Sequence, residues 1–261
     1  KYVLKQGNDV YDDFYVDFYD ELLFDPVKND YELNEFQRAG KLDKNKSYIL
    51  DVGSGTGRHV HSLHKNNYKC TGVDKSSAMV SYAKNKYKEI DVRQGDVMSA
   101  MLFPKDTFTH VTCFYFTIYG MEDKSTFFRN CYSWLKPGGY LMLHLVDKDR
   151  FNPILSSADP LMIVNPQKYA KKRITNSVVK FKDFTYKADF KIKNDTIAEF
   201  DEVFKDHTTK HVRQNKHVLY MENKDAILTK AKQAGFITKG KIDMVNCQYE
   251  YQYIYVLYKR F

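Results

Sequence analysis

The sequence predicts an α/β fold: a doubly wound, mostly parallel seven-stranded sheet with an antiparallel last strand, plus a small antiparallel β lid inserted after the fifth strand. Three observations lead there. From Tyr48 to Val146, short apolar runs alternate with helical periodicities across brief connections, the pattern of repeated βα units whose parallel sheet is covered on both faces. From Val178 to His207 the period changes to two, with Phe184, Tyr186, Ala188, Phe190 and Ile192 on one face. The chain then returns to one helix and two strands, enough to complete the first sheet.

The elements follow in order. Residues 8–24, NDVYDDFYVDFYDELLF, place acids and aromatics at helical spacing with Asp9 as cap, and a second helix spans Tyr31 to Leu42. Strand Tyr48–Val52, helix Arg58–Lys65, strand Lys69–Val73, helix Ser76–Lys88 and strand Ile90–Arg93 come next. Strand Thr109–Phe116, helix Lys124–Leu135, a Lys136-Pro137-Gly138-Gly139 turn and strand Tyr140–Val146 finish the alternating region. Residues 148–174 form a proline-containing connection, and Asn194-Asp195 turns an antiparallel hairpin. Helix Lys224–Ala234, closed by Gly235, precedes strands Phe236–Met244 and Tyr249–Lys259. We expect one domain over residues 1–261: a helical cap (1–45), a ligand-binding core (46–147), the lid (148–222), and the last helix and strands (223–261).

Composition narrows the partners. Of 261 residues, 43% are hydrophobic, enough for one substantial core with an accessory lobe. The formal charge of +8 favours anionic partners at long range, but the lysines are scattered among acids, as on a solvated basic surface. Cys70, Cys113, Cys131 and Cys247 lack metal-ligand spacing and read as reduced thiols. His207, His211 and His217 are spaced as surface histidines, so no metal site is expected. No apolar run reaches the ~20 residues that span a bilayer, and the expected setting is the cytoplasm.

The stretch DVGSGTG carries the chemistry. Gly53, Gly55 and Gly57 follow an apolar run with GxGxG spacing, whereas a pyrophosphate-binding turn takes GxGxxG. Asp51 would repel a pyrophosphate yet accept a hydrogen bond from an ammonium group, so the ligand should carry a cation at this turn. YILDVGSGTG resembles the first motif of class I S-adenosylmethionine-dependent methyltransferases. Asp74 in TGVDKS sits where that family holds the ribose hydroxyls, Asp96 and Val97 in RQGDV where it contacts adenine, and LKPGG where it turns into the fifth strand. The resemblance implies S-adenosylmethionine as cofactor, S-adenosylhomocysteine as product, and a cofactor set that also takes in Ser54, Thr56, Lys75, Met79, Gly95 and Phe114.

FTIYGMED, Phe116 to Asp123, is similar to the acceptor loop of small-molecule N-methyltransferases of the glycine, sarcosine and amino-deoxysugar type. Those relatives also share N-terminal Tyr-Asp steps, here Tyr11-Asp12 and Tyr19-Asp20, and an antiparallel insertion. By that resemblance Tyr11, Tyr15 and Tyr19 close the pocket, Tyr11 and Tyr19 over the cofactor and Tyr15 toward the acceptor. Tyr115, Thr117 and Tyr119 lie in the loop after the fourth strand, which faces the methyl group in this fold, and Tyr119 and, as a possible base, His144 are the catalytic candidates. For the tyrosines of residues 8–24 the alternative is plain amphipathic packing, and for His144 a buried core position. The expected reaction is direct in-line methyl transfer to nitrogen, or oxygen, of a small molecule. An RNA or mRNA-cap methyltransferase and a non-catalytic adaptor of the same fold stay open.

Overall fold

Runs that are apolar throughout become central strands, and alternating runs build a second sheet. The computed structural model describes residues 1–158 and 165–261. Strand β1 (Tyr2–Gln6) and a 3-10 turn (Gly7–Val10) precede helices α1 (Asp13–Leu23) and α2 (Pro26–Ala39). The βα region comprises β2 (Tyr48–Val52), α3 (Arg58–Lys65), β3 (Lys69–Asp74), α4 (Ser77–Lys86), β4 (Asp91–Gln94), β5 (Phe108–Cys113), α5 (Lys124–Trp134) and β6 (Leu135–Val146). Strands β7 (Asn176–Lys180), β8 (Phe184–Ile192), β9 (Ile197–Asp206) and β10 (Val212–Tyr220) follow. Helix α6 (Lys224–Gln233), β11 (Ile237–Asp243) and β12 (Gln252–Tyr258) end the chain.

The seven-stranded sheet has the order β11-β12-β6-β5-β2-β3-β4. Strands β2 to β6 are mutually parallel, and β12 inserts antiparallel between β6 and β11. The chain runs outward from β2 to β4 and then crosses back to β5. The carboxyl ends of β2 and β5 therefore flank the crevice where such sheets bind ligands. Ile49, Leu50, Asp51 and Val52 are all buried, as a strand covered on both faces requires. Trp134, Phe127, Phe128 and Phe108 are fully buried with Leu141 and Leu143, so the edge that carries the crevice rests on a rigid base.

The second sheet has the order β1-β10-β9-β8-β7. Its inward face carries Phe184, Tyr186, Ala188 and Phe204, which pack on Val10, Tyr15, Val16 and Leu22 and on Met79 of α4. Helix α1 thus packs between the second sheet and helix α4.

Several boundaries differ from the sequence reading. Residues 1–45 are not purely helical, because β1 pairs in parallel with β10; an isolated five-residue strand gives no local sign of so distant a partner. Helix α1 begins at Asp13, capped by Asp12, whose carboxylate accepts the Tyr15 N–H at 3.2 Å; Asp9 lies in the 3-10 turn. Helix α2 begins at Pro26 rather than Tyr31, because Asp25 accepts the Val27 and Lys28 N–H groups and proline suits the first helical position. Strand β5 stops at Cys113, and Tyr115 adopts φ 52° to turn the chain across the crevice. The connection expected over 148–174 falls partly on 159–164, outside the described residues.

Candidate active site

The glycine turn leaves β2 with Gly53 at φ 68°, Gly55 at φ 51° and Gly57 at φ 79°, conformations that side chains disfavour. A Cβ on Gly53 would meet Thr117 Cγ2 at 2.4 Å, so the β5 loop lies directly on the turn. Gly57 answers to packing instead. A Cβ there would meet Ile90 Cδ1 at 2.9 Å and Ala83 Cβ at 3.1 Å, which makes it the close-packed hinge into α3.

Beside this turn lies a cavity of about 630 Å³, in the size range of small-molecule sites. A smaller chamber of about 100 Å³ adjoins it, sharing Tyr19, Leu23, Val52, Gly53, Gly55, Tyr115 and Thr117. Of the residues singled out above, Tyr11, Tyr15, Tyr19, Gly53, Gly55, Asp74, Lys75, Met79, Gly95, Asp96, Val97, Tyr115 and Thr117 line the large cavity. Asp51, Ser54, Thr56 and Phe114 line the chamber.

The two acids differ in environment. Asp74 ends β3; its Oδ2 accepts the Gly55 N–H and its Oδ1 the Ser76 N–H, both at 2.9 Å. A carboxylate has about four acceptor positions, so two remain for a ligand diol. Asp51 is 3% exposed and takes one hydrogen bond, from the Thr112 hydroxyl at 2.7 Å. Burial pushes its carboxyl above the ordinary range, and the carboxyl of Asp74 likewise. Asp51 is buried and Asp74 half-buried, and neither forms an ion pair among the described residues. Asp96 is more open: it accepts the Met98 N–H and pairs with Lys75 at 2.9 Å.

The N-terminal Tyr-Asp steps have a divided role. Their tyrosines face the cavity while their acids tie the segment down. Asp20 accepts from Thr56 (2.6 Å) and from Arg58 Nε (2.9 Å), both on the glycine turn or α3, and Asp12 pairs with Arg213 of β10 at 2.9 Å.

Tyr119 and His144, the catalytic candidates of the sequence, line neither space. The Tyr119 hydroxyl accepts the Val146 N–H at 2.8 Å inside the core. His144 is fully buried, with Nδ1 2.6 Å from the Tyr115 carbonyl and Nε2 2.9 Å from Gln252 Oε1, and burial lowers its pKa to about 4. It is a neutral brace behind the β5 loop. Replacing Tyr119 with Phe should cost about 1–3 kcal/mol of stability by orphaning the Val146 N–H, with cofactor affinity held within twofold; denaturant melts and calorimetry read the two quantities.

Two groups escaped the sequence. In the chamber, α2 buries Lys28 and Glu32, which pair with each other, and Glu32 also meets His59 Nε2 at 2.9 Å. Spacing of i,i+4 resembles a solvated surface pair, so nothing local revealed it. In the large cavity stands His217, read above as a surface histidine, with its side chain only 10% exposed. Its Nε2 lies 2.6 Å from Glu202 Oε2. The available signal was polar Arg213, Asn215 and His217 at every second position of β10, the inward set. His207 and His211 do sit at the far, outer end of the hairpin, His207 against Thr185 and the Lys182 carbonyl. Among the described residues no group of three or more His, Cys, Asp or Glu could hold a metal, and no helix is long and apolar enough to cross a membrane.

A phosphate-free ligand with a diol and an ammonium fits these residues: two acceptors of Asp74 stay open, and buried Asp51 lacks a cation. The fold defines the class: the chain has the fold of class I, Rossmann-like methyltransferases. Residues 49–139 match the family model described as a methyltransferase domain. A ubiquinone biosynthesis O-methyltransferase of Coxiella burnetii is 27% identical over 131 residues, which are 49% of this chain and 53% of that protein. The chain thus spans about half the length of the curated relatives it matches. Among solved structures, an S-adenosylmethionine-dependent methyltransferase from Clostridium acetobutylicum superposes with TM-score 0.69 at 15% identity, covering 95% of this chain and 97% of that one. The sugar N-methyltransferase KedS8 from a Streptoalloteichus species gives TM-score 0.64 at 18% identity, over 90% and 88% of the two chains.

Proposed function

We propose that this chain binds S-adenosylmethionine and transfers its methyl group directly to a nucleophile of a small molecule, nitrogen before oxygen. The observation that carries the reading is a pair of adjoining cavities that meet at the glycine turn, the smaller lined by Asp51 and the larger by Asp74 and by residues of the second sheet. In this reading Asp51 receives the cofactor's ammonium and Asp74 takes the ribose hydroxyls. Gly95, Asp96 and Val97 take the adenine. Bound there, the cofactor supplies an electrophilic methyl carbon on a sulfonium, whose departure needs no acid. The protein's share is alignment and exclusion of water. Tyr11 and Tyr19 cover the donor, Tyr15, Tyr115 and Thr117 face the acceptor, and residues 148–222 serve as the lid.

Nitrogen is favoured by an acidic lining and by the fold-level likeness to a sugar N-methyltransferase. Oxygen is the second reading, favoured by the relative named as an O-methyltransferase. An RNA substrate is disfavoured because the cavity offers phosphates no free cation among the described residues. Incubation with methyl-labelled S-adenosylmethionine and separate panels of amines, amino sugars, phenols, RNA and peptides tests the reading. Label should appear in the amine or amino-sugar panel. Labelling of RNA alone, or calorimetric binding of the cofactor without transfer to any panel, overturns it in favour of the RNA enzyme or the adaptor.

A further inference from the structure

Strand β10 directs Arg213, Asn215 and His217 inward, and β9 places Glu202 directly opposite Asn215. Glu202 is fully buried, yet it has four donors: Tyr15 Oη (2.9 Å) and Tyr186 Oη (2.6 Å) on Oε1, Asn215 Nδ2 (3.3 Å) and His217 Nε2 (2.6 Å) on Oε2. Arg213 in turn donates from Nε to Asn215 Oδ1 at 2.8 Å. Every acceptor position of the carboxylate is used, so Glu202 has none left for a ligand. Its remaining function is to fix the imidazole. With Nε2 committed to Glu202, the other nitrogen, Nδ1, has no hydrogen-bond partner among the described residues, and the ring borders the large cavity. Tyr11, Tyr15 and Phe200 surround that ring at centroid distances of 5.8, 6.0 and 5.8 Å.

The charge lining the cavity is one-sided. Asp74, Asp96, Glu122 and Asp123 border it, whereas Lys75, its only lysine or arginine among the described residues, is tied to Asp96. A carboxylate or phosphate on the acceptor would find repulsion. An ammonium would find acids, and an apolar body would find Phe116, Phe151, Ile154, Leu155, Phe190 and Phe200.

We propose that His217 Nδ1 is the proton acceptor of this cavity, with Glu202 as its positioning residue, and that the proton comes from the ammonium form of a primary or secondary amine borne on an apolar, otherwise uncharged body. The proposal rests on the methyl-transfer reading above and deepens it. An alkylammonium with a pKa near 10 is ~10³-fold short of free amine at pH 7, and an ammonium has no lone pair to attack with. In the proton step the N–H bond of the ammonium breaks and an Nδ1–H bond forms. The resulting imidazolium lies against the Glu202 carboxylate, and the freed lone pair enters the methyl transfer already described. His217 returns its proton to water once the product leaves. The titratable and charged groups facing His217 are Glu202 from β9, Tyr186 from β8, Tyr11 and Tyr15 from the N-terminal segment, and Arg213 from its own strand.

The test uses the full chain saturated with S-adenosylhomocysteine and labelled with ¹⁵N-histidine, with His217→Asn assigning the signal. Calorimetry of the wild type with S-adenosylmethionine comes first, since absent binding there refutes the methyl-transfer reading itself. With binding established, nitrogen shifts of His217 at pH 8 should show Nε2 protonated and Nδ1 bare, and Glu202→Gln should shift the tautomer. Phenethylamine should bind at least tenfold more tightly than 3-phenylpropionate, its near-isosteric anion, and should protonate Nδ1. A protonated Nδ1 in the unliganded pocket, equal binding of the two probes, or binding of neither overturns the proposal while leaving cofactor binding in place. If Glu202→Gln does not fold, the wild-type tautomer and the two probes still decide.

Discussion

Asp74→Ala is expected to weaken S-adenosylmethionine binding by about 1–3 kcal/mol, some 5- to 150-fold, read by calorimetry on the folded variant. In the proposed reading the carboxylate serves both protein and ligand. One acceptor position on each oxygen is filled by a backbone N–H of Gly55 or Ser76, and the other positions are directed to a cavity that also exposes Gly95 and Asp96. Removing it takes two charge-assisted acceptors from a vicinal diol and leaves two N–H groups of the turn unpaired. Because the second loss falls on the protein alone, a melting curve of the free variant separates it from the loss of binding. Asp74→Asn is the sharper control: it keeps the shape and one acceptor oxygen, so it should retain more stability than alanine while still losing affinity. Unchanged affinity in both variants would refute the assignment of Asp74 to the ribose.

The parts of the site that were legible in the sequence are those built within a few residues of one another. A glycine turn with an acid two positions ahead, and another acid at the end of the next strand, are local facts that the βα alternation carries to one edge of the sheet. The α/β class was legible for the same reason, since apolar period and turn chemistry are short-range. What stayed hidden depends on pairing across distance. Strand β1 exists only because Val212 and its neighbours lie beside it. Glu202 and His217 are fifteen residues apart and separated by a hairpin turn, and each is an ordinary hydrophilic residue until the register of β9 and β10 brings them together. Lys28 and Glu32 look solvated until α2 is laid over the chamber. Tyr119 shows the converse. Its place in the acceptor-loop motif suggested chemistry, but a one-turn 3-10 segment rotates it away from the cavity to the Val146 N–H.

Stability should fall steeply on the acid side, beginning well above the range where carboxylates protonate. His144 has a folded pKa of about 4 against 6.5 for an ordinary histidine, chiefly because burial disfavours its cation. A histidine lowered in this way binds its proton more readily when unfolded. Its contribution is therefore complete above pH 6.5 and is lost as pH falls from 6.5 toward 4. Fully developed, the difference is about 3 kcal/mol. His110, buried against the Gly40 carbonyl, shifts in the same direction. Glu32 acts next. Burial opposes its charge, but Lys28 and His59 outweigh that and hold its carboxyl at about 2, so its stabilisation is present above pH 4.5 and vanishes between 4.5 and 2. Asp51 and Asp74 have the opposite sign: their raised carboxyls cost the ligand-free protein stability above their folded values and return it on protonation. As pH falls from 6.5 to 4.5 the buried His144 and His110 therefore withdraw stability, and protonation of Asp51 and Asp74 works against them. Calorimetric melting temperatures should drop through that window by several degrees, roughly 2–4 °C for each kcal/mol in a chain of this size. His144→Gln, which removes the titrating group yet can still donate to the Tyr115 carbonyl, should flatten the curve there while leaving the decline below pH 4.5. Wild-type and His144→Gln curves that run parallel between pH 6.5 and 4.5 would show that His144 is not held neutral behind the β5 loop.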